Sequence, residues 1–176
     1  MSESYLNRKC GEAILAGAGL RGVTLALRED IERDAVIAEA RSWISTRFHH
    51  HAAVKGSGVD CAHLVAAVYT HCGVIDAPAI GFYTENWFQH ETTERLQHAV
   101  AACCVPVDRP ERGDLALFRF GHASAHAAIV TDWRGIIHAD RTRMVVCEDY
   151  VDERGPLERR FTGWWSPKRW HPEAAP

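Results

Sequence analysis

The stretch Gly58-Val59-Asp60-Cys61-Ala62-His63-Leu64-Val65 decides the fold of this chain, because it joins a turn, a helix cap and a cysteine that opens an apolar run. Asp is a favoured N-cap residue, so Cys61 is expected in the first turn of a helix. Unpaired backbone N–H groups and the positive end of the helix dipole surround that position. Both favour a thiolate, and the sequence therefore predicts a lowered pKa and fast alkylation for the Cys61 thiol.

Two short apolar segments further along the chain each carry one histidine. Ser124-Ala125-His126-Ala127-Ala128-Ile129-Val130 and Ile136-Ile137-His138-Ala139 are predicted as neighbouring strands joined by a tight turn. A buried imidazole is costly unless its ring nitrogens have partners. The two ring nitrogens of His126 would both have partners if one contacted Cys61 and the other contacted His138. Asp140 is an alternative to His138. A thiol at a helix start that faces two strand histidines is typical of a cysteine hydrolase.

Length and composition fit one globular domain with a proper core, at 176 residues and 47% hydrophobic content. A net charge of −3 gives no basic footprint for nucleic acid or an anionic membrane, and neither is expected as a partner. The six cysteines show no regular spacing, which favours free thiols in a reducing compartment over a disulfide framework. The adjacent Cys103 and Cys104 are expected to point to different sides of their element.

The first part of the chain carries no convincing signal for export. The apolar run over residues 13–27 is broken by Arg21, lacks the layout of a signal peptide and is too short to span a bilayer. A cytoplasmic site of synthesis is therefore expected.

Apolar periodicity divides the chain into an N-terminal extension (1–29), a main domain (30–170) and a tail (171–176). Helices are predicted over 30–46 and 61–72 and within 85–102, with Gly73 as a C-terminal cap. Strands are predicted over 23–27, 114–120, 126–132, 135–140, 143–149 and 161–165, and loops over 47–58 and 106–113. Helices followed by an antiparallel meander predict an α+β fold.

Several of these motifs, in this order, resemble the NlpC/P60 cysteine peptidase family, and most closely its phage cell-wall peptidase branch. The matching segments are Ala40-Arg41-Ser42-Trp43-Ile44-Ser45-Thr46-Arg47-Phe48, Lys55-Gly56, Asp60-Cys61 with Leu64-Val65, Arg112-Gly113-Asp114-Leu115-Ala116-Leu117-Phe118, His126-Ala127-Ala128-Ile129-Val130 and Ile137-His138-Ala139. The resemblance covers roughly residues 32–165. It implies a papain-like domain in which N-terminal helices pack on an antiparallel sheet.

The resemblance also implies an activity, namely hydrolysis of the amide between D-glutamate and a diamino acid in peptidoglycan stem peptides. In that family's pattern Cys61 is the nucleophile, His126 the general base and His138 the residue that orients His126. We expect no metal and no organic cofactor. A phage particle with its tail components, a secretion system or lysis would deliver such an enzyme to the cell wall.

Two positions depart from the family pattern. Ala62-His63 stands where a small pair such as Ser-Gly is usual, and Phe48 replaces a tyrosine whose hydroxyl is thought to stabilise the oxyanion or bind substrate. Phe48, Asp60 and His63 are expected at the substrate site, with Asp60 also capping the helix. A donor from His49, His50 or His51 is an alternative to the missing hydroxyl.

Three other interpretations remain open from the sequence. The departures at Phe48 and His63 suit a non-catalytic phage-tail or cell-wall-binding component. The same fold also hosts amidase or acyl-transfer chemistry on other substrates. A zinc hydrolase built from His122, His126 and His138 is the third alternative.

Overall fold

The sheet and the helices that cover it follow directly from the apolar segments of the sequence. The computed structural model describes residues 20–78 and 80–174. The helices are α1 (Leu20–Arg41), α2 (Cys61–His71), α3 (Trp87–His90) and α4 (Arg95–Cys103). The strands are β1 (Ala53–Val54), β2 (Gly58–Val59), β3 (Cys104–Val107), β4 (Leu115–Phe120), β5 (Ala123–Val130), β6 (Gly135–Asp140), β7 (Val145–Tyr150) and β8 (Phe161–Pro167). Short 3₁₀ turns lie at Glu158–Arg160, Lys168–Trp170 and Pro172–Ala174.

The main sheet has six strands in the order β3-β8-β4-β5-β6-β7, and neighbouring strands in it run antiparallel. Successive residues of a strand point to opposite faces, and both faces of β4 are buried. Leu115 and Leu117 join the core shared with α1 and α2, whereas Ala116 and Phe118 join a second core on the other face. The predicted α+β class is confirmed.

Helix α2 begins at Cys61 because Asp60 caps it. Asp60 has extended backbone angles, and its side chain accepts a hydrogen bond from the His63 N–H at 3.0 Å. The helix ends near Gly73, whose φ of +66° is a conformation that glycine adopts without steric cost. Both ends of the predicted helix are thus confirmed to within a residue.

A buried ion pair fixes α1 to the sheet. Arg33 Nη1 lies 2.8 Å from Asp114 Oδ1, and both side chains are at most 3% exposed. Ser166 of β8 donates a second hydrogen bond to the same oxygen at 2.7 Å. The Tyr69 hydroxyl of α2 donates to the Gly113 carbonyl at 2.6 Å. These contacts hold the two longest helices against the segment that leads into β4.

Three local predictions are wrong. Residues 23–27 are helical rather than a strand, since the good helix formers Leu25, Ala26 and Leu27 continue into α1. α1 ends at Arg41 instead of continuing to residue 46, and residues 42–45 form turns. The first two residues of the loop predicted over 106–113 belong instead to strand β3. This strand lies at the edge of the sheet, where a proline such as Pro106 is tolerated.

The N-terminal part of the chain is only partly described. Residues 1–19 lie outside the described residues, and α1 runs without interruption through the boundary expected between residues 29 and 30. Within the described segments, no helix has both the length and the apolarity needed to cross a bilayer.

The two adjacent cysteines do not diverge as expected. The Sγ atoms of Cys103 and Cys104 lie 3.8 Å apart, at the junction of α4 and β3. The change from helix to strand at this junction alters the side-chain direction, so the alternation expected within one element does not apply.

Candidate active site

Cys61 lies at the start of α2, where the helix packs against β5. Its Sγ is 3.8 Å from the carbonyl oxygen of Ala125 on that strand. The side chain borders two cavities, one polar and one apolar. The predicted nucleophile is therefore placed at the junction of two different binding environments.

The two strand histidines form a hydrogen-bonded pair that borders the same cavity as Cys61. His126 Nε2 of β5 and His138 Nδ1 of β6 are 2.8 Å apart, and the rings meet edge to face. Both residues are buried, at 9% and 3% exposure. Because Nε2 of His126 is occupied by His138, Nδ1 is the ring nitrogen left for the thiol. Cys61, His126 and His138 line the same polar cavity.

The electrostatics of this group correct one expectation. Burial, and then the Asp60 carboxylate, raise the pKa of the Cys61 thiol to about 12; nearby backbone N–H groups lower it by less. The predicted lowering is wrong because burial and the negative charge of Asp60 outweigh the helix start. Burial, followed by His138, lowers the pKa of His126 to about 3. The resting pair is therefore a neutral thiol and a neutral imidazole.

The pKa of His138 is also lowered. Burial is the largest cause, and the carboxylates of Asp140 and Asp149 partly offset it. The nearer of the two contacts is with Asp149, whose Oδ2 is 3.8 Å from His138 Nε2. The expected alternative orienter, Asp140, instead accepts backbone hydrogen bonds from Thr142 and Arg143. His138 is therefore the residue in direct contact with His126.

Asp60 is the centre of a buried hydrogen-bond network. Its Oδ1 accepts from the His63 N–H and lies 2.8 Å from His63 Nδ1. Its Oδ2 accepts from the His51 N–H and the Tyr83 hydroxyl, both at 2.7 Å. Burial raises the Asp60 pKa, but these hydrogen bonds outweigh it and the net pKa is lowered. Both oxygens are thus occupied by protein donors.

The other expected substrate-site residues differ in position. Phe48 is half-buried and lines the polar cavity together with Cys61. His63 is turned into the Asp60 network and lies outside the lining of both cavities. Of the three consecutive histidines, His50 reaches the polar cavity, and its Nε2 is 2.9 Å from the Tyr83 carbonyl oxygen.

The polar cavity has a volume of about 410 Å³ and a strongly charged wall. Three arginines, Arg141, Arg143 and Arg160, line it. Arg141 pairs with Glu85 at 3.0 Å and Arg143 with Asp149 at 2.8 Å. Arg160 stacks over the Phe120 ring. The wall also contains Asp60, Glu85, Asp140 and Asp149. Among the described residues, Arg160 is the cavity arginine without an ion pair, and it suits one carboxylate of a substrate.

The second cavity, of about 390 Å³, is mostly apolar. It lies between α2, α4 and the segment before α3, and its wall includes Val65, Leu96, Val100 and Trp87. Cys61 and Tyr83 border both cavities. Cys61 therefore lies between a charged and an apolar compartment.

Sequence reasoning missed several residues of the site. Tyr83 and the three cavity arginines belong to irregular segments or strand ends, where no periodicity marks a position as lining a cavity. The order of charges in Asp140-Arg141-Thr142-Arg143, directly after the His138 strand, is the one signal that could have indicated a charged wall.

The zinc set considered as an alternative, His122 with His126 and His138, does not assemble among the described residues. His122 is exposed in the turn between β4 and β5 and is not grouped with His126 and His138. Within residues 20–78 and 80–174, the ligand atoms that converge belong to His138, Asp140, Cys147 and Asp149.

Fold and site together define a papain-like α+β domain with a cysteine at a helix start and a histidine pair on the sheet. The family model of the NlpC/P60 family matches residues 46–164, more than half of the chain. The chain belongs to the NlpC/P60 family. A comparison with curated protein sequences gave no match.

Solved structures share this fold at low identity. RipB of Mycobacterium tuberculosis, described as a peptidoglycan hydrolase, is 19% identical with a TM-score of 0.52 and covers 92% of this chain and 80% of its own. An NLP/P60 protein of Staphylococcus aureus, described as similar to a lipoprotein, is 16% identical with a TM-score of 0.55. That match covers 77% of this chain and 41% of the Staphylococcus protein, so this chain spans less than half of that relative.

Proposed function

We propose that this protein is a cysteine peptidase that hydrolyses peptidoglycan stem peptides, at the amide between D-glutamate and a diamino acid. The observation that carries the proposal is the meeting of Cys61, His126 and His138 in one cavity, with a hydrogen bond of 2.8 Å between the histidines. Membership of the NlpC/P60 family supports the reaction class. Arg160 in the cavity wall, which forms no ion pair among the described residues, supports a peptide substrate that carries a free carboxylate.

The resting protonation states define the first chemical step. Neutral His126 removes the thiol proton of Cys61 through Nδ1 as the sulfur attacks the amide carbonyl, because a thiol with a raised pKa does not ionise on its own. This requires His126 to carry its own proton on Nε2 and to donate it to His138 Nδ1. The proton of His138 then resides on Nε2, which faces Asp149. Asp149 thereby favours the reactive tautomer of both rings.

The later steps use the same groups. Backbone N–H groups at the start of α2 hold the oxyanion of the tetrahedral intermediate. Protonated His126 donates its Nδ1 proton to the leaving amine, which departs and leaves a thioester on Cys61. Water then attacks the thioester as His126 accepts a proton from it, and the thiol is restored when the acid product leaves.

Purified peptidoglycan provides the test. The parent protein should release fragments with a new D-glutamate carboxyl end and a new diamino-acid amino end, identified by mass spectrometry. Cys61→Ser should release no such fragments. Cys72→Ser, which changes the thiol at the opposite end of α2, should release the same fragments as the parent. Unchanged peptidoglycan after treatment with the folded parent protein would overturn the proposal.

The apolar cavity favours a second candidate function. A papain-like amidase or acyltransferase would place an acyl chain in the cavity beside Val65 and Leu96 and would attack its carbonyl with Cys61. Para-nitrophenyl esters of increasing acyl length separate the two candidates. A kcat/KM that rises steeply with chain length, together with inactivity on stem peptides, would favour the acyl substrate.

A further inference from the structure

Four metal-ligating side chains meet at one place on the β6–β7 ladder, behind the histidine pair. His138 and Cys147 are direct cross-strand partners in this antiparallel ladder. Asp140 and Asp149 each lie two residues further along their own strand, and side chains two residues apart share a face. The register therefore brings one imidazole, one thiol and two carboxylates together. Their candidate ligand atoms all lie within 4.8 Å of one another.

A buried ring nitrogen points into this cluster without a hydrogen-bond partner. His138 is 3% exposed, and its Nε2 atom makes no hydrogen bond within the described residues. The nearest carboxylate oxygen, Oδ2 of Asp149, is 3.8 Å away, beyond hydrogen-bond distance. A buried polar atom without a partner is costly, so the site is suited to an additional group that would bind Nε2.

The cluster already attracts one cation. The Arg143 guanidinium is 2.8 Å from Asp149 Oδ2 and 3.4 Å from Asp140 Oδ2, and its Nη1 donates to Cys147 Sγ at 3.3 Å. More than half of this side chain is exposed, so it can leave the cluster without disturbing the core. The arginine thus occupies the position that a compact metal ion would take.

We propose that His138, Cys147 and Asp149, with Asp140 as the fourth ligand, form a binding site for Zn²⁺ that inhibits the enzyme. Imidazole, thiolate and carboxylate are the ligands that zinc prefers, in a tetrahedral arrangement with bonds of about 2.0–2.3 Å. Binding displaces Arg143 and releases the Cys147 thiol proton to solvent as the Zn–S bond forms. The ligand atoms need to approach by about 1 Å, which the partly exposed side chains of Asp140, Cys147 and Asp149 can supply by rotation.

The inhibition follows from the tautomer of His138, and this part rests on the proposed function. Zinc on Nε2 forces the His138 proton onto Nδ1, which then donates to Nε2 of His126. His126 must then carry its own proton on Nδ1, the ring nitrogen that the proposed mechanism uses to accept the thiol proton. In that tautomer His126 cannot accept the Cys61 proton. Zinc binding therefore removes the general base without contacting the nucleophile.

Metal binding is tested first, without any activity measurement. Untagged protein is titrated with Co²⁺, and the near-ultraviolet thiolate-to-cobalt absorption is recorded together with competition by Zn²⁺. The parent and Cys61→Ser should bind one cobalt with this absorption, and Cys147→Ser should lose it. Loss of a residue that only hydrogen-bonds to a metal ligand typically lowers metal affinity by about 10–100-fold. Cys147→Ser removes a ligand itself and should therefore weaken zinc binding at least tenfold.

The outcomes separate this site from the other thiols. Cys72→Ser is the matched control and should bind as the parent does. Absorption that survives in Cys147→Ser but is lost in Cys61→Ser, or in Cys103→Ser, would place the metal elsewhere and overturn the proposal. No cobalt absorption in the folded parent protein would overturn it as well.

Activity is then measured against free zinc concentration. Stoichiometric zinc should abolish stem-peptide hydrolysis by the parent, a chelator should restore it, and Cys147→Ser should need at least about tenfold more zinc for the same inhibition. Equal inhibition of the parent and Cys147→Ser would refute the inhibitory role. Absence of all hydrolysis with intact cobalt binding would refute the proposed function and leave the metal site standing.

Discussion

Replacing Asp60 by Asn is expected to destabilise the protein while it makes the nucleophile more reactive. Asn is as good a helix N-cap as Asp, so the bond from the His63 N–H is kept. The second side-chain oxygen becomes an NH₂ group that faces two other donors, the His51 N–H and the Tyr83 hydroxyl. Hydrogen bonds to a charged group contribute about 1.5–3 kcal/mol each, so losing two of them should lower the free energy of unfolding by about 3–6 kcal/mol.

Urea denaturation at pH 7 measures this loss, with Tyr83→Phe as the matched variant that removes one donor. The double variant should cost less than the sum of the two single changes, because both remove the same hydrogen bond. The pKa of Asp60 is lowered in the folded state, so its contribution is present above the unfolded pKa of about 3.9 and is lost as the pH falls through the folded pKa. The difference in the free energy of unfolding between the parent and Asp60→Asn should therefore become smaller as the pH is lowered.

The same variant should alkylate faster at Cys61, since the Asp60 charge that raises the thiol pKa is gone. The buried Cys104 serves as the internal reference for general loosening. A stability loss below about 1 kcal/mol, or parallel gains in alkylation at Cys61 and Cys104, would refute the role assigned to this network.

Four further predictions concern charge and protonation. Arg160→Gln should raise KM for a stem peptide at least about tenfold with little change in kcat, because a charge-assisted contact contributes about 1.5–3 kcal/mol. Arg159→Gln, outside the cavity, should leave both constants unchanged, and equal KM values for the two variants would exclude Arg160 from binding. Since the pKa of His126 is lowered to about 3, kcat/KM should stay level from pH 7 to about pH 5, and an acid limb near the usual histidine value of about 6.5 would contradict this. Between about pH 6.5 and 3 the unfolded state binds a proton at His126 that the folded state does not. The free energy of unfolding should therefore decrease by up to about 1.4 kcal/mol for each unit by which the pH is lowered in this range. His126→Gln should remove that contribution in denaturation measured as a function of pH. The hydrogen bond from Cys104, and then Lys168, lower the pKa of Cys103 to about 7, so mass spectrometry after brief iodoacetamide treatment should find Cys103 labelled before Cys61.

The sequence allowed the helix start and the sheet to be predicted because both have local causes. Asp60 as a cap and Gly73 as a terminator bound α2 through short-range backbone chemistry. The alternation and apolarity of β4 to β7 reflect burial by neighbouring strands. The strand prediction for residues 23–27 is wrong because their apolar pattern fits a strand or a helix equally well. These residues are helical because they have good helix propensity and continue into α1.

The electrostatics of the site could not be predicted from local sequence. A helix start favours a thiolate, but the size of the opposing effects depends on burial and on where Asp60 points, which only the packed fold determines. The same holds for Tyr83, which reaches Asp60 across 23 positions of the chain. The cluster at His138 and Cys147 depends on strand register, which no single strand specifies alone.

The most direct test of the proposed chemistry is the mass of the enzyme during turnover. A synthetic stem peptide is mixed with the protein, the reaction is quenched in acid within the first turnovers, and the intact mass and its peptide map are recorded. The mechanism predicts a thioester that adds the D-glutamyl acyl portion to Cys61 and to no other residue, and that Cys61→Ser lacks. Continued hydrolysis of the same bond by Cys61→Ser, or an acyl group on a different cysteine, would contradict the account.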